Sequence, residues 1–304
     1  MRRDAWRLQR ESYPLKGECQ PRYTDVDIWQ HLNNAALISM HGEAMQQALR
    51  SVLGPESWRT GVPAPACAAL ATDFLAEGQY PGPLTWGARV MGWEAAGLRV
   101  ASALFQNGRC IGLHEATVCG WEDGRPAGLG DEAATALRAA DVPGADSAAS
   151  PPTEQPRTAS ALTAFPWLTT LPARFADSDA RRLASDQWLA RCAEQVRVEF
   201  LDQVLSGRPR GVGGMMVAHV GLRWHRRVAP GAQAEAGCGV AHLGERSVAL
   251  RTSIIDRDQC VATCESVMVS IDTTTRRSAA LPEGIRDRLL PFRLQADKGP
   301  VTAG

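Results

Sequence analysis

The 304-residue chain is 44% hydrophobic, enough for a sizeable core, and its length suits about two domains. Lys plus Arg and Asp plus Glu each number 33, so the formal net charge is zero and the basic stripe of a nucleic-acid binder is missing. No apolar run reaches the roughly 20 residues of a membrane span, and the charged opening MRRDAWRLQRES leads into no signal core. That opening reads as a solvated arm or short helix. The expectation is a cytoplasmic protein with neither nucleic acid nor membrane as partner.

Residues 15–23 alternate in polarity and run into the polar turn YTDVD, predicting a strand and a loop. From Asn33 the period changes. Leu37, Met40, Ala44 and Ala48 recur at helical spacing, widened by Ile38, Met45 and Leu49, predicting a largely buried helix capped by Asn33 or Asn34. Gly42 costs that helix about 1 kcal/mol relative to Ala, and close packing on a sheet is the expected reason for it. Four strands follow near 66–77, 84–94, 98–106 and 109–121, the last two joined by the hairpin signal Asn107-Gly108. Eight cysteines form no CxxC pair; they read as free thiols in apolar strands, and Cys260 and Cys264 find no further ligands for a metal site.

The pattern then repeats. PRYTDVDIWQHLNNAALISM aligns with ARFADSDARRLASDQWLARC, pairing Arg22 with Arg174, Tyr23 with Phe175, Asp25 with Asp177, Asp27 with Asp179 and Leu37 with Leu189, each 152 residues apart. Cys110 with Cys260 and Glu115 with Glu265 follow at an offset of 150, and Leu129 falls on Leu281. The second copy turns its last hairpin at Asp256, Arg257 and Asp258. Residues 12–140 and 164–292 therefore read as two α+β units, each a long central helix wrapped by an antiparallel five-stranded sheet. The Ala-, Pro- and Ser-rich residues 141–163 read as a linker, and 293–304 as a loose tail.

The order of elements, together with RYTDVDIWQHLNN at the first strand–helix junction, resembles the hotdog-fold acyl-CoA and acyl-ACP thioesterases of the 4-hydroxybenzoyl-CoA thioesterase-like superfamily, with both units of a tandem double hotdog covered. The string D-x-D-x-x-x-H-x-N-N carries most of the specificity. The resemblance implies a catalytic aspartate at Asp27, a histidine of the acyl-ACP branch at His31 and a glutamate at Glu77 in TDFLAEGQYPGPL. Where that branch has an asparagine between aspartate and histidine, this chain has Trp29. The second copy keeps Asp177 and Asp179 but has Leu183, Ser185 and Asp186 in place of His31, Asn33 and Asn34, and Arg226 or Arg227 in place of Glu77. The expectation is one competent half and one degenerate half.

These residue types suit thioester hydrolysis. A helix N-terminus offers unsatisfied N–H groups and a positive dipole end to a developing oxyanion, here near residues 33–36. Asp27 can act as a base on water or as a nucleophile, Glu77 can orient the water, and His31 can hold or relay a proton. Trp29, Asn33, Asn34 and Ala35 are the expected substrate contacts. No cofactor is implied. The substrate partner is acyl-CoA or acyl carrier protein in fatty-acid metabolism, and a monomeric pseudo-dimer or a homo-oligomer would each serve. The Arg223–Arg227 cluster RWHRR is either a solvated edge or a contact for coenzyme A phosphates. His41 and His114 read as structural. Competing readings are a non-catalytic acyl-binding module and a hotdog hydratase or dehydratase, whose proline-containing Asp/His motif this chain lacks. No G-x-S-x-G elbow, P-loop or dinucleotide fingerprint is present.

Overall fold

The computed structural model describes residues 4–59, 65–152, 162–205, 214–272 and 274–295. The first half runs β1 (Leu15–Cys19), α1 (Asn34–Leu53), β2 (Ala66–Phe74), β3 (Leu84–Glu94), β4 (Gly97–Gln106), β5 (Arg109–Glu122), β6 (Arg125–Ala127) and α2 (Gly130–Ala139). The second half runs β7 (Trp167–Pro172), α3 (Asp186–Val204), β8 (Gly214–Trp224), β9 (Gln233–Leu243), β10 (Ser247–Asp256), β11 (Gln259–Ile271) and α4 (Ile285–Leu289). The main strands form one antiparallel sheet in the order β1-β3-β4-β5-β2-β8-β11-β10-β9-β7, with β6 paired to the end of β5. The two halves meet where β2 pairs β8, Thr72 opposite Val220.

Both long helices pack on this sheet and on each other. On α1 the residues Leu37, Ile38, Ala44, Met45, Ala48 and Leu49 are buried, as their spacing requires, and they join one continuous core with Trp188, Leu189, Val196 and Phe200 of α3. The β4–β5 hairpin turns at Asn107 and Gly108, whose φ values of 51° and 76° give the primed turn that suits strand twist. The β10–β11 hairpin does the same with Arg257 and Asp258, at φ 49° and 63°.

Three sequence expectations change. The opening segment is the short helix of its two readings, one turn over Ala5–Leu8 and one over Arg10–Ser12, and it is anchored where a solvated arm would not be: Arg7 and Tyr13 are buried, Arg7 pairs with Glu115 and donates to the His114 carbonyl, and the Tyr13 hydroxyl donates to the Arg7 carbonyl. Tyr13 also packs edge-on against Phe105, so the arm covers the outer face of β3, β4 and β5. The start of the expected linker is likewise built in. Val142, Ala145 and Ala148 are buried, Trp93 N–H donates to the Pro143 carbonyl, and Gly144 adopts φ 76° where a Cβ would collide with the Trp93 carbonyl oxygen. Residues 153–161 of that segment lie outside the described residues. At the far end, Leu294 N–H bonds the Val240 carbonyl, so the expected tail is docked at its start; 296–304 lie outside the described residues. Helix α2 had no expectation at all: only Ala134 and Leu137 are buried, a stripe too short to show as periodicity.

Gly42 also departs from its expected reason, because a Cβ there would meet nothing within 4 Å. Nothing in the packing requires glycine, so Gly42→Ala is expected to raise stability by about 0.5–1 kcal/mol. Thermal melts of the two proteins would check it; an equal or lower midpoint for the variant would contradict the open geometry.

The core of the first half holds a polar layer. His41 of α1 stacks on His114 of β5 with ring centroids 4.9 Å apart. His41 Nδ1 lies 2.9 Å from Ser102 Oγ, and His114 Nδ1 lies 2.8 Å from Thr72 Oγ1. Burial holds His41 well below the ordinary imidazole range and pulls His114 down to about 3. Both stay neutral in the folded protein where an unfolded chain takes up protons, below about pH 6.5. Their contribution is therefore complete above that pH and is lost as pH falls, at up to about 1.4 kcal/mol per pH unit for each ring. Denaturant midpoints measured from pH 6.5 to 5, above the carboxylate range, should drop steadily in the wild type and less in His114→Gln; a flat profile would refute the buried neutral pair.

Candidate active site

The first site is assembled by the loop between β1 and α1. Arg22 and Asp25 lock its start: the Arg22 N–H and guanidinium both bond the Asp25 carboxylate, at 2.8, 3.2 and 2.7 Å. Burial pushes the Asp25 carboxyl up, but the hydrogen bonds from Arg22 outweigh it and hold the group below its ordinary range. Asp25 is therefore a structural anchor, and its carbonyl accepts from Asn33 N–H. The intervening residues fold into a tight turn. Asp27 Oδ1 accepts the backbone N–H groups of Trp29 at 2.9 Å and His31 at 3.2 Å, while Asp27 N–H donates to the His31 carbonyl. Leu32 N–H then reaches the Gly78 carbonyl, tying this loop to the segment beyond β2 that carries Glu77.

His31 Nε2 lies 3.1 Å from Glu77 Oε2. His31 thus touches both carboxylates by different groups: its backbone N–H bonds Asp27 and its imidazole faces Glu77. Asn33 is the cap of α1, its side-chain oxygen accepting from Ala35 N–H at 2.7 Å and Ala36 N–H at 3.3 Å. Leu37 N–H bonds the Asn33 carbonyl. In the first turn this leaves Asn34 N–H as the backbone donor without a partner among the described residues, so the expected group of donors across 33–36 narrows to one, and Ala35 offers its N–H to the cap instead. Trp29 stands in the turn and is 62% exposed.

Three residues of the second half reach this site and escaped the sequence reading. Glu194 Oε1 of α3 accepts both side-chain amides, from Asn33 at 2.6 Å and Asn34 at 3.0 Å. The buried Arg197 donates to Asn34 Oδ1 at 3.1 Å and to Ser266 Oγ at 3.2 Å. Arg276, in the turn after β11, pairs with Glu77. The repeat alignment held a signal for two of them, since Glu194 and Arg197 fall opposite Gly42 and Met45 at the 152-residue offset that also relates the caps Asn33 and Ser185. Arg276 carries no such signal.

Residues 174–289 match the family model of the thioesterase-like superfamily. Among solved structures, a protein provisionally described as an oleoyl thioesterase from Lactobacillus plantarum superposes with a TM-score of 0.61 at 12% identity, covering 86% of this chain and 96% of its own. The 12:0-ACP thioesterase from Umbellularia californica gives 0.60 at 10% identity, covering 84% and 97%. An acyl-ACP thioesterase from Bacteroides thetaiotaomicron gives 0.55 at 12%, covering 83% and 96%. The chain has the fold of the hotdog thioesterases. No curated protein matches its sequence.

The matched family segment is the second half, whereas the assembled carboxylates lie in the first. The second half keeps the loop but gives its aspartate a different partner. Asp179 Oδ1 accepts Arg181 N–H at 2.9 Å, and the Arg181 guanidinium, in the place of Trp29, pairs with the same carboxylate. A cleft of about 380 Å³ opens here, lined by Glu43, Gln46, Arg50, Trp58, Asp179 and Arg181, but its only motif carboxylate is already neutralised. Ala184 N–H bonds the Val228 carbonyl as Leu32 bonds Gly78, which sets Arg227 in the place of Glu77. Arg227 is neither a solvated edge nor free for a phosphate: it is buried, pairs with Asp186 at 2.8 Å and lies over the rings of Trp224 and Trp121.

Proposed function

We propose that the chain is a double hotdog, with units at 12–140 and 164–292, that hydrolyses acyl thioesters at the Asp27 site. The observation that carries this reading is a loop that holds the Asp27 carboxylate on the His31 N–H, sets the His31 imidazole 3.1 Å from Glu77 and runs into the unpartnered Asn34 N–H at the start of a 20-residue helix. Asp27 is the base that takes a proton from the attacking water, and His31, held by Glu77, relays it toward the leaving thiolate. As the carbonyl carbon becomes tetrahedral, negative charge builds on its oxygen. The Asn34 N–H and the positive end of α1 stabilise that charge. Asn33 keeps the cap formed, and the exposed Trp29 flanks the turn as a contact for the acyl thioester.

The carrier is a pantetheine thioester, of coenzyme A or of acyl carrier protein; the acyl-ACP thioesterases among the similar structures support including the latter. The test is thiol release from short, medium, long and aromatic acyl-CoAs and from the same acyl groups on acyl carrier protein. Release ranks the substrates and chooses the carrier. Saturable binding with no release from either carrier would overturn hydrolysis in favour of an acyl-binding module.

A further inference from the structure

The second half has lost its own site, yet it is not passive. Arg197 is almost wholly buried on α3, and burial of a guanidinium carries a heavy desolvation cost that the fold does not demand. The equivalent position on α1 is Met45, that of Glu194 is Gly42 and that of Ser266 is Ala116, so the same packing is met without charge. The polar set is therefore one-sided. Glu194, Arg197 and Ser266 face the first site, whereas the first half presents Gly42, Met45 and Ala116 to the second.

Glu194 and Arg197 both reach the α1 N-terminus. The Glu194 carboxylate takes one N–H from Asn33 and one from Asn34. Arg197 fixes the other end of the Asn34 amide and is itself held by Ser266. With both ends of the Asn34 side chain engaged, that amide is not free to turn back onto its own backbone. With the Asn33 amide nitrogen engaged, its oxygen is turned toward Ala35 N–H and Ala36 N–H. We propose that Glu194 and Arg197 are positioning residues supplied by the second half, which fix the Asn33 cap and keep the Asn34 N–H available as the oxyanion donor of the first. The inference rests on the hydrolytic reading above, and the second half then persists because the first cannot complete its site alone.

Four proteins test it: wild type, Glu194→Ala, Glu194→Gln and Arg197→Met, the last copying the Met45 that fills the same place in α1. Thermal midpoints establish that each is folded. With decanoyl-CoA and decanoyl acyl carrier protein as probes, Glu194→Ala and Arg197→Met should lower kcat about a hundredfold with KM unchanged. Glu194→Gln, whose amide oxygen still accepts from both asparagines, should keep most of the rate. Amide hydrogen exchange gives a readout independent of turnover: Ala35 and Ala36 should exchange faster in Glu194→Ala and Arg197→Met than in wild type and Glu194→Gln. Unchanged kcat in Glu194→Ala, or unchanged exchange at Ala35 and Ala36, overturns the positioning role. A Glu194→Gln enzyme as slow as Glu194→Ala also overturns it, by making the carboxylate charge itself essential. If the wild type releases no thiol, the hydrolytic reading fails and the exchange comparison still decides whether the network holds the cap.

Discussion

Asp27→Asn is expected to lower thioester turnover by about 10²–10⁴, the range for losing a general base, while Asp179→Asn leaves it unchanged. The pair is informative because the two aspartates occupy the same place in equivalent turns. Asparagine at position 27 keeps a side-chain oxygen for the Trp29 and His31 N–H groups, so the loop should hold its shape and the melting temperature should not move. What the amide cannot do is accept a proton from water. At position 179 the carboxylate is already paired with Arg181 and lacks a histidine, Leu183 standing where His31 does, so no loss is expected there. Steady-state thiol release by the three proteins, at one enzyme concentration, is the measurement. Equal loss in both variants would mean a structural contribution from each turn; no loss in Asp27→Asn would remove Asp27 from the chemistry.

The largest expected stability effect is at Arg227. Its guanidinium pairs with Asp186, donates to the carbonyls of Ala184 and Cys67, and lies 4.4 Å from the ring centre of Trp224 and 5.1 Å from that of Trp121. Arg227→Met leaves the Asp186 carboxylate with the Trp224 N–H alone and strips two buried carbonyls of their donor. Removing one partner of a buried pair costs about 3–5 kcal/mol, which lowers the melting temperature by on the order of 10 °C. The neighbouring Arg226 is exposed and reaches only Gln259, so Arg226→Met should stay within about 0.5 kcal/mol. Asp186→Asn combined with Arg227→Met should recover part of the loss, because the stranded charge is gone. Thermal unfolding of the four proteins checks all of this; equal midpoints for Arg226→Met and Arg227→Met would contradict the buried pair.

The sequence by itself determined the local frame of this protein. Helical spacing from Leu37 onward, the Asn33 cap and the Asn107-Gly108 turn are short-range properties, written in residues a few positions apart, and the structure repeats them closely. The repeat was legible for the same reason: Arg22 with Asp25 and Arg174 with Asp177 make the same i,i+3 lock, so the two loops share a pattern wherever they sit. The loop string also marked Asp27 and His31 as neighbours. What only the tertiary structure decided depends on partners outside the few residues that local patterning can read. Arg7 looked solvated until Glu115 and the His114 carbonyl were placed beside it, and Arg227 looked like a basic edge until Asp186 and two tryptophans enclosed it. Glu194 and Arg197 escaped the sequence reading, because periodicity records which face a residue occupies and not what stands opposite. That opposite surface is the start of α1, and only the joining of β2 to β8 brings it there.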